Sequence, residues 1–260
     1  MKSKNEKTQL VLLSLLGIVL FFGTWEMCIQ CGLVSERVMC APSTAIKTFI
    51  TKLTVSKPDG ATVIVHFLTS LKLSLAGFLT AVIIGVPLGL FMGYFRIMDS
   101  LLTPLFEIVR PIPPIAWIPI VILTLGIGFP AKVFIIFISA FVPCVINSYL
   151  GIKLTNQTLI NVAKTFGASE WQIFTKVCVP SSMSMVFAGV RISLGNAWST
   201  LVAAEMLAST KGLGYMIQMG RTLIRPDIIV VGMATIGCTG ALMAWILGRF
   251  EKKVAPWRYK

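Results

Sequence analysis

The sequence predicts an all-α, polytopic membrane protein with six transmembrane helices. Of its 260 residues 56% are hydrophobic and only 13% charged, with mean hydropathy +0.86, so polar surface is too scarce to clothe a soluble globule of this size. The apolar residues also collect into runs long enough to cross a bilayer as helices. The net charge of +13 would suit nucleic acid in a soluble domain. Here the Lys and Arg fall mainly in short segments flanking apolar runs, as membrane anchoring places them, and nucleic-acid binding is not expected.

Residues 1–9 carry Lys2, Lys4 and Lys7 and precede the run Leu10 to Ile29, read as a retained signal anchor with its N-terminus inside. Gly32 to Val65 reads as an external loop with a short surface helix, which makes 10–72 one segment. A five-helix core follows over 73–250. Leu73 to Phe95 is charge-free, and Gly85, Gly89 and Gly93 at four-residue spacing form one face on which another backbone can approach. Leu101 to Leu125 is interrupted by Pro111, Pro113 and Pro114, which predicts a broken helix facing the bundle interior. Val133 to Leu150, with Pro143 as a kink, Ser181 to Leu207, and Ile228 to Phe250 complete the set. The tail 251–260 is basic. Six spans place both termini on one side, and a modest excess of Lys and Arg puts that side in the cytoplasm of a cell with this chain in its inner membrane.

Chemistry is sparse. No G-x-x-x-x-G-K-[ST], G-x-S-x-G or H-E-x-x-H occurs, and His66 is the single histidine, so the chain is not expected to be an enzyme or to carry a cofactor or metal. Cys28 and Cys31 have the spacing of a metal pair without a second pair, and read as soft apolar residues; a disulfide among Cys28, Cys31 and Cys40 stays open. Glu107 and Arg110 are three apart and can pair along a helix face. With Pro113 and Pro114 they are either a pathway element or a structural pair near the rim. Arg191 and Glu205, within the fifth span, are either structural, in an interhelical pair or at the rim, or part of an electropositive lining for an anion.

Residues 151–180 form a polar gap that the topology places inside. Gly167 divides it into two short helices, and Ser169 with Gln172 has capping-box spacing. Trp171, Phe174 and Val177 recur every three residues as an apolar stripe, with Phe166 at the turn. Such a hairpin can lie in lipid headgroups or enter a groove on a protein partner.

The stretch Asn161-Val162-Ala163, Gly167, Val177 and Pro180 resembles the EAA loop of ABC importer permeases, whose pattern has Glu-Ala-Ala at the start, Gly at the seventh position, a branched apolar residue at the seventeenth and Pro at the twentieth. The spacing is intact, and the first two residues of the triplet are replaced. Arg110-Pro111-Ile112-Pro113-Pro114-Ile115-Ala116-Trp117-Ile118-Pro119, Ala188-Gly189-Val190-Arg191, Ala204-Glu205-Met206-Leu207 and Gly212-Leu213-Gly214-Tyr215 resemble permeases of the nitrate, sulfonate and taurine group.

The resemblance implies a type I (MetI-like) ABC importer permease fold and the membrane subunit of an ATP-driven importer. A homodimer would bind two ABC ATPase subunits, which hold ATP and Mg, and an extracytoplasmic solute-binding protein would deliver a small anion. A neutral vitamin precursor such as a pyrimidine is the alternative solute. The coupling positions would be Asn161, Ala163, Lys164, Phe166, Gly167, Ala168, Trp171, Phe174 and Pro180. The rival reading is a secondary transporter driven by an ion gradient through Glu107 or Glu205.

Overall fold

The computed structural model describes residues 4–254; the N-terminal Lys2 and most of the predicted basic tail lie outside the described residues. The regular elements among the described residues are all helices, and five are long and apolar enough to span a membrane: Gln9–Gln30, Val63–Tyr94, Phe129–Lys153, Glu170–Leu207 and Pro226–Lys253. A sixth crossing is Arg96–Val109 plus Pro114–Leu125, bent by 85° at its break.

The first helix, α1 (Lys4–Gln30), runs along the outside: its apolar side chains from Leu10 to Phe22 are exposed. It meets the bundle at α2 (Pro42–Lys52), the surface helix the sequence predicts. Ala41 offers α2 no side-chain cap, so Glu26 of α1 supplies one, accepting from the Ser43 amide at 3.1 Å and its hydroxyl at 2.7 Å. A carboxylate at a helix N-terminus satisfies an orphan donor and opposes the dipole's positive end.

The third helix, α3 (Val63–Tyr94), starts ten residues before the predicted run, so Lys72 lies within the helix and not at its rim. Residues 63–72 look loop-like in sequence because they include His66 and Ser70. Both are buried and partnered inside the bundle, which removes the penalty that a polar residue would carry in lipid.

The two halves of the broken span are α4 (Arg96–Val109) and α5 (Ile118–Leu125), joined through a 3₁₀ turn at Pro114–Trp117. The break is where the prolines predict it. The expected inward orientation holds for α5, which packs Ile118 and Val121 on Ala131 and Ile135. It does not hold for α4, which buries none of its residues. Its polar positions Asp99, Thr103, Glu107 and Arg110 recur at helical spacing, with Ile97, Leu101, Leu105 and Ile108 exposed beside them.

The core is a three-helix layer of α3, α6 (Phe129–Lys153) and α9 (Val179–Ala208). Glycines set the spacing, as the sequence predicts. A Cβ on Gly89 would lie 2.4 Å from the Val145 carbonyl of α6, and one on Gly189 of α9 would lie 2.6 Å from Asn147 Cβ. Dispersion and backbone proximity hold such a layer together where lipid removes the hydrophobic drive. Pro143 lies within the continuous α6, and the Asn147 side chain donates from Nδ2 to its carbonyl at 2.9 Å.

Between α6 and α9 stand α7 (Gln157–Thr165) and α8 (Glu170–Ile173). The predicted boundary at Pro180 is not a break: α8 runs into α9 through a five-residue π turn, Phe174–Cys178. Proline lacks an N–H and its ring crowds the carbonyl four residues back, and a widened turn just ahead of Pro180 relieves both. After α9 the chain turns through Gly212 into the half-helix α10 (Leu213–Thr222) and returns as α11 (Pro226–Val254).

Candidate functional site

The α7–α8 hairpin is rigid for reasons local to its sequence. Asn156 caps α7 by accepting from the Thr158 amide at 2.9 Å. The helix ends in a paired closure: the Ala168 amide reaches the Ala163 carbonyl at 3.1 Å and the Gly167 amide reaches the Lys164 carbonyl at 2.9 Å. This closure needs a left-handed residue, and Gly167 takes φ +77°. Ser169 then opens α8 with the predicted capping box, donating its amide to Gln172 Oε1 at 2.9 Å and accepting from the Gln172 amide at 3.3 Å.

Contacts with the end of α3 anchor the hairpin. The Tyr94 hydroxyl donates to the Glu170 carboxylate at 2.6 Å, and Lys164 pairs with the same carboxylate at 3.2 Å. The Phe174 ring lies 5.3 Å from Phe91 and 5.6 Å from Phe95. The predicted stripe therefore divides. Phe174 is buried with Ile173 and Cys178, while Trp171 is 57% exposed, because the buried face follows 173, 174, 177 and 178 and not every third residue.

Of the other predicted positions, Ala163 and Ala168 are half-buried, and Asn161, Lys164, Gly167 and Pro180 are exposed. Phe166 is 86% exposed, and with Leu159 and Val162 it forms an apolar ridge along one face of α7. A compact knob with an apolar ridge on a capped frame is suited to a partner's groove.

The predicted polar residues of the spans do not converge on one site. Glu107 and Arg110 pair at 3.0 Å on α4 and, with Tyr149 of α6, border a cleft of about 320 Å³. Pro113 and Pro114 form the bend. Arg191 pairs with Glu251 of α11, beside Trp245 and Arg249.

Glu205 lies elsewhere, wholly buried at the far end of α9 from the hairpin. Both its carboxylate oxygens are 2.8 Å from Ser70 Oγ, and one accepts from the Gly214 amide at 2.9 Å. The Leu213 amide donates to Ser70 Oγ at 2.8 Å and the Gly212 amide to His66 Nδ1 at 3.0 Å. The N-terminus of α10 is thus seated on a carboxylate, a hydroxyl and an imidazole, the acceptors that helix N–H groups favour. Gly212 is required twice: its φ is +128°, and a Cβ there would lie 2.3 Å from Glu205 Oε1.

The network continues outward. His66 Nε2 lies 3.2 Å from Asp59 Oδ2, Asp59 pairs with Lys52, and Lys52 Nζ donates to the Ala61 carbonyl at 2.9 Å. Burial pushes the Asp59 carboxyl up, but contacts with His66 and Lys52 outweigh it and hold the group below the usual carboxylate range. Sequence reasoning missed Lys52, Asp59, His66 and Ser70. The available signal was the lone histidine followed by a serine one helical turn later, at the edge of an apolar run. Cys28, Cys31 and Cys40 are free thiols.

Residues 85–256 match the family model of binding-protein-dependent transport system inner membrane components. A probable ABC transporter permease protein of Brucella abortus is 36% identical over 95% of both chains. The taurine transport system permease protein TauC of Escherichia coli is 31% identical over 95% of this chain and 90% of its own. The nitrate import permease protein NrtB of Leptolyngbya laminosa is 33% identical over 72% and 67%. Among solved structures, a chain of the MetNI methionine ABC transporter, in an inward-facing conformation, superposes with a TM-score of 0.63 at 18% identity, over 71% of this chain and 92% of that one.

Proposed function

The chain belongs to the binding-protein-dependent transport system inner membrane components, the permeases of ABC importers, and from that premise we propose that it moves a small oxyanion into the cytoplasm by alternating access. A separate ATPase pair is the motor. It grips the α7–α8 hairpin in the cytoplasm, with Phe166, Val162 and Leu159 in its grooves and Gly167 setting the turn. Both chain termini then lie inside, and α10 with the Lys52–Asp59–His66 network lies outside, where a solute-binding protein delivers its cargo. Taurine and nitrate permeases among the relatives make a sulfonate or nitrate the first solutes to test.

The single observation that carries this reading is the exposed ridge on a rigidly capped hairpin, because a knob that transmits force must be stiff within itself and apolar where it is held. A second copy of the chain would cover α1 and α4, whose faces the single chain leaves open. Glu205 fits poorly as the carboxylate of an ion-driven carrier, since it is buried and already engaged by Ser70 and the α10 amides.

The test is co-purification with a candidate ABC ATPase subunit expressed together with this chain. Phe166→Glu is expected to abolish association and ATP-driven uptake while leaving the permease folded. Uptake that persists without ATP, or association indifferent to Phe166→Glu, would overturn the proposal.

A further inference from the structure

Exposed faces on the spans are of two kinds. On α3 the exposed positions Leu75, Leu79, Ile83 and Ile84 are apolar, with Lys72 nearer the helix start and the exposed Thr80 hydroxyl satisfied by the Ala76 carbonyl at 2.8 Å, and on α11 Leu242 and Ile246 are apolar, as a lipid-facing surface requires. Along the middle of α9, between its ends, the exposed positions are 191, 192, 195, 196 and 199, one stripe at helical spacing that holds Arg191, Asn196 and Ser199 together with Ile192 and Gly195. The opposite face of the same helix is packed: Ser193 donates to the Ala140 carbonyl at 2.6 Å and the Trp198 indole to the Ile236 carbonyl at 3.0 Å.

Asn196 lies roughly 26 Å along α9 from Val179 and roughly 18 Å from Ala208, at mid-depth in any bilayer the helix crosses. Neither its amide nor the Ser199 hydroxyl has a hydrogen-bond partner among the described residues. An amide at that depth cannot face hydrocarbon without losing its hydrogen bonds. Beside Asn196, Gly195 adds room, for a Cβ there would meet nothing within 4 Å. Arg191, more than a turn below, has a half-exposed side chain, and its pairing with Glu251 engages one end of the guanidinium.

We infer that this stripe is the solute-contacting wall of the translocation path, with Asn196 and Ser199 as specificity-determining residues. The wall is a ladder of donors: guanidinium N–H at the inner end, then amide N–H, then hydroxyl. Donors at successive turns suit a small oxyanion, which each rung can hold in turn without any single rung binding it too tightly to leave. The inference rests on the permease reading and assigns its solute contacts.

The experiment uses the assembled transporter in membranes, with the six native cysteines replaced by alanine and single cysteines introduced as Asn196→Cys, Ser199→Cys and, as a lipid-facing reference, Ile83→Cys. The probe is sulfonatoethyl methanethiosulfonate, itself a small sulfonate, compared with its trimethylammonium analogue. The anionic reagent is expected to modify positions 196 and 199 at least about tenfold faster than 83, because thiolate chemistry needs water. It should also outpace the cationic reagent, and Arg191→Gln should erase that preference.

Gly195→Cys, on the same open stripe, serves where either variant fails to accumulate. Rates no faster than at position 83 would overturn the inference. So would disulfide cross-linking between copies through 196 or 199 with no reagent access, which would make the stripe a sealed interface. ATPase binding is read separately. An unreactive stripe in a complex that hydrolyses ATP overturns the path and spares the motor, whereas a reactive stripe in a chain that binds no ATPase supports the path and removes the motor.

Discussion

The two ends of α9 use the same device to opposite purposes. At the hairpin end, a glycine with positive φ and a capped helix start hold α7 and α8 at a fixed angle, and the aromatic Phe166 is left out in the open. At the far end, a second glycine with positive φ and the start of α10 are folded inward over Glu205, Ser70 and His66. Every acceptor there is met by another element of the bundle. The difference teaches what each end risks on mutation: the hairpin can lose function without losing the fold, whereas the buried seat can lose neither partner cheaply.

The largest effect is expected at Gly212→Ala. Its Cβ would overlap the Glu205 carboxylate and its φ of +128° suits glycine alone, so the variant should fail to accumulate in the membrane. Glu205→Ala, which leaves the Gly214 amide and Ser70 without their acceptor, should lose about 3 kcal/mol by thermal unfolding in detergent. If both variants unfold like wild type, the contrast between the two ends collapses.

Asp59→Asn sharpens the same end. It leaves a buried Lys52 without its counter-charge, at a cost of about 3 kcal/mol. Because the folded carboxyl is held below its ordinary value, its contribution is present above the unfolded pKa and is lost as pH falls through the folded one. Amide exchange over 53–62, corrected for its intrinsic pH dependence, should therefore quicken on acidification in wild type and lose that response in Asp59→Asn.

At the hairpin, Gly167→Ala should cost about 1 kcal/mol for the left-handed φ, with Gly167→Asn milder, since open space surrounds the position. Phe166→Ser is expected to shift stability least, within about 0.5 kcal/mol, while reducing ATP-driven uptake more than Gly167→Asn. A Phe166→Ser protein that transports normally would show that the ridge is not the gripped surface.

Sequence periodicity revealed most of this fold because membrane spans are written locally. Runs of apolar residues mark the helices, the proline cluster marks the break after α4, and Gly85, Gly89 and Gly93 mark the face that meets α6. The capping box at Ser169 and the turn at Gly167 were readable for the same reason: their hydrogen bonds close within a few residues. Phase was harder. Trp171, Phe174 and Val177 look like one stripe at a spacing of three, but the surface that α3 offers selects the faces at 173/174 and 177/178. The π turn ahead of Pro180 also responds to a steric demand that spacing does not express.

The sequence by itself determined the class of protein, the order of its spans and the stiff hairpin, since each follows from side-chain hydropathy or from bonds between near neighbours. Tertiary structure alone decided that Ser70 meets Glu205 across 135 positions and that His66 meets Gly212 across 146. It also decided that Arg191 meets Glu251 of α11, and that the side of α9 holding Arg191, Asn196 and Ser199 stays open. A buried polar group takes its meaning from whichever distant element folds against it, and that choice is made only when the helices pack.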